Sequence, residues 1–222
     1  MNKTIYKNLL YVFLFAAAFA WVESSVVVYL RTIYYPAGFR FPIKTHYDYM
    51  LVIELIRELA TLVMMVSLSV LLSKKFWEGF GYFLVIFGLW DILFYIWLKV
   101  MINWPESLFT FDILFLIPVP WIAPVLAPVI VSLVMIYIGI DIIRFFQRGL
   151  YVKPGIIHWA IVLAGTAFIL YSFMCDIDAG FHEKYPQPYN WILFLTGIML
   201  FLFAHFHLRK SLLKQIINKS SQ

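Results

Sequence analysis

Residues 9–30 read LLYVFLFAAAFAWVESSVVVYL. At about 1.5 Å of rise per residue, such a run crosses the ~30 Å hydrocarbon core of a bilayer as one helix. Its only acidic or basic residue is Glu23. An acid at the centre of a membrane helix costs roughly 2.5–3.5 kcal/mol on insertion scales. A second way to read the segment is as a leader peptide. Lys3 and Lys7 precede an apolar core, and Ala18-Phe19-Ala20 has the small-x-small form of a cleavage site. The apolar run does not stop there but continues to Leu30, so a first transmembrane span is expected over about 9–30.

The rest of the chain repeats this pattern. Of its 222 residues, 64% are hydrophobic and 13% charged. Soluble domains are about 45–50% apolar and about 25% charged. The apolar runs are helix-length, not the ~10-residue alternating segments of a transmembrane barrel. The expected fold is therefore an all-α integral membrane protein, a single polytopic domain over residues 1–222 built as a six-transmembrane-helix bundle. Further spans are expected at about 49–72, 80–102, 121–145, 155–175 and 190–208. Residues 108–143 are too long for one span and carry Pro118, Pro120, Pro124 and Pro128. Proline removes a backbone donor and bends or ends a helix. A short interfacial or re-entrant segment at about 107–117 is thus expected before the fourth span.

With both termini in the cytoplasm, the inner side holds Lys3, Lys7, Lys74, Lys75, Arg144, Arg148, Lys153, Arg209, Lys210, Lys214 and Lys219. The outer side holds Arg31, Arg40, Lys44, Lys99 and Lys184. Eleven cations against five favour this orientation by the positive-inside rule. Trp77, Trp104, Trp121, Trp159 and Trp191 fall near span ends, as an interfacial aromatic belt requires. The net charge of +5 is thereby explained without a nucleic-acid partner. The expected partners are membrane lipids, with a homo-oligomer or a larger membrane complex as further options. The single cysteine, Cys175, excludes an intramolecular disulfide and a multi-cysteine metal site. The chain has no CxxC, HExxH, P-loop or GxGxxG motif.

In this topology the acids gather in one layer. Glu23 lies in the outer half of the first span, Glu54 and Glu58 near the outer start of the second, and Asp91 in the outer half of the third. Asp112 lies in the proline-rich segment, and Asp176, Asp178 and His182 follow the fifth span. Glu54 and Glu58 are four apart and share a helix face, with Arg57 between them as charge partner. Membrane acids turn to a bundle interior or a wet cavity, so Glu23 is expected to face Glu54, Arg57, Glu58 and Asp91.

Three functions fit. Carboxylates in a wet cavity handle protons or cations, in a transporter or channel-like protein. Broken helices that expose backbone carbonyls support that chemistry. An intramembrane enzyme could instead hold a divalent metal ion on Glu23, Glu54, Glu58, Asp91 and Asp112. An all-oxygen set suits Mg²⁺, Ca²⁺ or Mn²⁺, and His182 would admit Zn²⁺ or Fe²⁺; the substrate would be a lipid or lipid-linked molecule. The third role is an accessory subunit of a larger membrane complex. Against all three stands a structural role, in which a Glu–Arg–Asp network fixes helix register. Asp176 and Asp178 also fit a solvated turn. His158 and His205 reach matching depth at the inner surface, where a bis-histidine site competes with plain interfacial placement. The outer loop 31–49, with Pro36, Gly38 and Pro42, is long enough to lie over the acids as a lid.

Overall fold

The computed structural model describes residues 3–43, 49–150, 154–182 and 184–220, with side chains from Ile5 to Leu213. Residues 44–48, which form the end of the loop expected as a lid and include Lys44 and His46, and Lys153 lie outside the described residues. The chain runs α1 (Lys3–Tyr34), α2 (Tyr49–Leu72), α3 (Phe76–Ile102), β1 (Phe111–Phe115), β2 (Trp121–Pro124), α4 (Leu126–Gln147), α5 (Ile156–Met174), α6 (Ile177–Phe181) and α7 (Trp191–Ser220). Six of these helices, all but α6, are long and apolar enough to cross a membrane. The protein is an integral, multi-pass helical membrane protein. Its helices satisfy their own backbone polar groups, as lipid demands.

Several boundaries differ from the expected ones. α1 is one unbroken helix through Ala18–Ala20 and extends beyond Leu30, which brings Arg31 into the helix rather than into an outer loop. α7 runs past 208 to Ser220, because the polar sequence after His207 still favours helix once anchored. The expected fourth span at 121–145 begins instead at Leu126, and the expected segment at 107–117 contains a strand. β1 and β2 form an antiparallel hairpin that pairs Asp112 with Ala123 and Ile113 with Ile122. The prolines explain the substitution of strand for helix. Pro118 and Pro120 fall in the connection and Pro124 at the strand end, where a missing N–H is tolerated. Pro128 sits in the first turn of α4, where the same loss costs no hydrogen bond.

The helices form two groups. α3 packs along α1 and α4, with α2 against α3, while α5 packs along α7. Val12, Ala16 and Ala20 repeat every four residues down α1 and are fully buried with Met65 of α2 and Tyr82, Val85 and Ile86 of α3. Small residues bring the backbones together, the usual route to helix association in lipid. A Cβ on Gly88 of α3 would sit 2.6 Å from the Ser132 carbonyl of α4. A Cβ on Gly197 of α7 would sit 2.8 Å from the Gly165 carbonyl of α5. The hairpin and the start of α4 join the groups: Ala123 of β2 and Ala127 of α4 pack with Ile169, Phe173, Phe194 and Ile198. Below it, α3–α4 and α5–α7 leave between them a cavity that is partly open to the outside.

Candidate functional site: a carboxylate layer and two adjoining cavities

The hairpin lies at the end of the bundle where α1 stops and α2 starts, and the candidate acids collect around it. On α1, Glu23, Val27 and Arg31 are spaced by four and line one cavity of about 80 Å³. α2 adds Arg57, Glu58 and Thr61, α3 adds Trp90, Asp91, Phe94 and Tyr95, and β1 adds Asp112. These spacings are those of single helix faces. One water needs about 15 Å³, so the cavity has room for a few waters or a small ion.

Three of the five acids pair with arginine. Arg57 bridges two helices: its Nη1 donates to Glu23 of α1 and its Nε donates to Glu54 at 2.8 Å. The other Glu23 oxygen accepts the Thr61 hydroxyl at 2.7 Å. Arg31 Nη2 donates to Asp112 at 2.8 Å. Its guanidinium also lies 4.2 Å from the Phe39 ring centre and 3.8 Å from that of Trp104, in cation–π contact. Asp112 further accepts from the Tyr95 hydroxyl and from the Ile113 N–H. Burial pushes the Asp112 carboxyl above the ordinary aspartate range; the charge of Arg31 offsets part of that rise.

The remaining two accept hydrogen bonds from neutral donors only, although the Arg57 charge also acts on Glu58. Glu58 accepts the Leu116 N–H, at 3.1 and 3.0 Å from its two oxygens. Asp91 accepts the Ser132 hydroxyl at 2.8 Å. Both line the polar cavity, whereas Glu54 does not. The expected meeting of Glu23 with Arg57 is present, and the hairpin inserts among the other acids. Among the described residues, no group of three or more His, Cys, Asp or Glu side chains comes together to hold a metal ion. Among the described residues, three buried donors also lack an acceptor: Arg31 Nη1, Trp90 Nε1 and Trp121 Nε1. A buried donor left unpaired costs about 1–3 kcal/mol.

A second cavity, about 440 Å³, runs between α3–α4 and α5–α7. Its lining is almost wholly apolar, and it shares Trp90, Asp91, Leu114 and Phe115 with the polar cavity. Asp91 therefore fronts both spaces.

The other candidates lie elsewhere. Asp178 is exposed and pairs with Lys184 at 3.1 Å and His182 at 3.4 Å. The Lys184 hydrogen bond and charge, then His182, hold its carboxyl below the ordinary range. Asp176 accepts the Gln187 N–H, so this group closes a surface turn. At the opposite end of the bundle His158 and His205 take different partners. His158 Nε2 meets His207 Nδ1 at 2.9 Å, while His205 meets Asp141 at 3.1 Å beside Arg209.

Arg31, Thr61, Tyr95 and Ser132 escaped the sequence reading. The signal for three of them was the helix repeat: Arg31 is two turns from Glu23, and Thr61 and Tyr95 are one turn from Arg57 and Asp91. Ser132 carried no signal, because its role depends on how α4 meets α3.

Compared with known protein families, curated proteins and solved structures, the chain matches none.

Proposed function

We propose that this membrane protein handles protons or a small cation at Glu58 and Asp91, as a transporter or channel-like protein. The observation that carries the reading is the contrast within one cavity. Glu23 and Asp112 are ion-paired with arginine, whereas Glu58 and Asp91 are in no ion pair and accept only a backbone N–H and a hydroxyl, although the charge of Arg57 also reaches Glu58. A carboxyl with neutral partners is free to change its charge state or to take a cation, and ionisable groups at membrane depth that face a cavity mark such pathways. Arg57 and Arg31 then act as fixed charges that position the site. With both termini cytoplasmic, as the distribution of lysine and arginine favours, the site opens toward the outer half of the membrane. The test is proton or cation flux into liposomes, lost on Asp91→Asn or Glu58→Gln.

One observation favours lipid chemistry as the second role: Asp91 fronts the apolar cavity too. A carboxyl so placed can act as general base toward a lipid or lipid-linked substrate. A lipid product that requires Asp91, formed by a protein without flux, would select this role.

A further inference from the structure

At the hairpin end of the apolar cavity, one side-chain oxygen is left to orient a ligand. The Ser132 hydroxyl donates to Asp91 Oδ2 at 2.8 Å, so both of those atoms are engaged. Trp90 and Trp121 also line this end, but their indole nitrogens are buried and offer no surface to it. Among the described residues, Asp91 Oδ1 has no hydrogen-bond partner and is not buried, and Asp91 is in no ion pair. The cavity thus ends in an accessible carboxylate oxygen.

An ionised carboxylate only accepts, so its partner is a donor or a cation. The adjoining polar cavity carries Glu23, Glu58, Asp91 and Asp112 against Arg31 and Arg57, an excess of carboxylates that favours a cation and turns anions away. The rest of the apolar cavity decides the kind of cation. Its lining is almost wholly apolar, and an inorganic ion would lose its hydration there with nothing in exchange. An organic cation brings an apolar body, which gains by burial. The rings at this end suit it further. Phe87 is one turn from Asp91 on the same face of α3, and both line the cavity. Trp121 contacts Phe115 and Phe173, with ring centres 5.5 and 6.0 Å apart. Aromatic faces attract organic cations. A volume of about 440 Å³ falls within the range of small-molecule sites, about 300–1,000 Å³, which join an apolar lining to a few polar groups. The cavity follows α3 from Trp77 to Asp91, about 20 Å at 1.5 Å per residue. We infer that it binds an elongated organic cation, with the positive charge at Asp91 and the apolar body lying along α3 toward Trp77. This binding rests on the proposed handling of a cation at Asp91 and names the class of that cation.

The native tryptophans supply the readout, since Trp77, Trp90, Trp121 and Trp159 all line the cavity. The full-length protein in phosphatidylcholine nanodiscs is titrated with dodecylpyridinium, whose ring quenches tryptophan on contact. Dodecyltrimethylammonium, dodecanol and dodecyl sulfate then compete as non-quenching analogues of one chain length. The expected result is saturable quenching, displaced by the ammonium at least about tenfold more tightly than by the alcohol or the sulfate, a difference of about 1.4 kcal/mol. Asp91→Asn should abolish that preference. Phe87→Leu keeps the carboxylate and an apolar lining, so it should retain the preference but weaken dodecylpyridinium about two- to fivefold, as the loss of one cation–π contact does. Quenching that never saturates, equal displacement by the three analogues, or preference for the sulfate would overturn the inference. Flux of protons or inorganic cations without such binding would overturn it and leave the proposed function standing. Absence of both binding and flux would overturn both, whereas binding without flux would support the site and overturn transport.

Discussion

The Arg31 guanidinium donates to the Asp112 carboxylate at 2.8 Å, and both side chains are at least nine-tenths buried. The pair ties the end of α1 to the first strand of the hairpin across 81 residues of sequence. Removing one partner of a buried pair leaves an uncompensated charge and costs about 3–5 kcal/mol. Arg31→Met should therefore destabilise the protein by that order, whereas Arg31→Met with Asp112→Asn should recover a large part of the loss. Thermal unfolding in detergent across the four proteins of the cycle measures this. Additive effects would mean that the two residues do not interact.

The same pair makes stability depend on pH in a defined direction. Burial raises the Asp112 carboxyl above its ordinary value, with Arg31 offsetting part of the rise. A carboxyl whose pKa is raised on folding costs stability once the pH exceeds its unfolded value, near 3.9. Acidification toward that value removes the cost. In Arg31→Met the offset is lost, so the gain on acidification should be larger than in the wild type. Unfolding midpoints of Arg31→Met and of its Asp112→Asn double variant, compared from neutral to mildly acidic pH, isolate this group. Equal slopes would contradict the assignment.

Arg57 holds two helices through Glu23 and Glu54, and Glu54 is the more exposed of these carboxylates. Arg57→Ala should cost several kcal/mol, about 3 or more, because it strands Glu23. Glu54→Gln keeps an acceptor for Arg57 and leaves its bond to Glu23 intact, so it should cost less, about 1–2 kcal/mol for this part-buried pair. The order of the two unfolding midpoints is the check. A Glu54 variant as damaging as Arg57→Ala would place the support of Arg57 on α2 alone.

At the α3–α4 contact, Gly88 faces the Ser132 carbonyl with no room for a side chain. Gly88→Val should force the helices apart, cost at least about 1–3 kcal/mol, and break the Ser132–Asp91 hydrogen bond. Ser132→Ala removes that bond without moving the helices. A functional defect shared by both variants, with the larger loss of stability in the first, is the expected outcome.

The fold was legible in the sequence because lipid imposes a length and a composition on every span. All six spans are where the apolar runs put them, and most boundaries moved by only a few residues. The hairpin was not legible. The prolines announced a break, but whether the freed backbone ends in a re-entrant helix or pairs with itself depends on neighbours such as Glu58, which takes the Leu116 N–H. The acids were legible for the same reason as the spans: each is an exception to an apolar run. Their partners were less so. Arg31 looked like a loop cation because the apolar run ends at Leu30, although the helix continues to Tyr34. The apolar cavity left no trace at all, since its lining has the same residue types as a lipid-facing surface.

On the proposed function, Glu58 and Asp91 exchange protons or a cation with the water on one side of the membrane. The most direct measurement is flux into liposomes carrying the purified protein and an internal pH- or cation-sensitive dye, under an imposed gradient and potential. Flux above that of protein-free liposomes is expected, reduced at least about tenfold by Asp91→Asn and by Glu58→Gln. Glu54→Gln, outside the cavity, should leave it within about twofold. No flux from a folded wild type under either driving force, or equal flux from the wild type and Asp91→Asn, would contradict it.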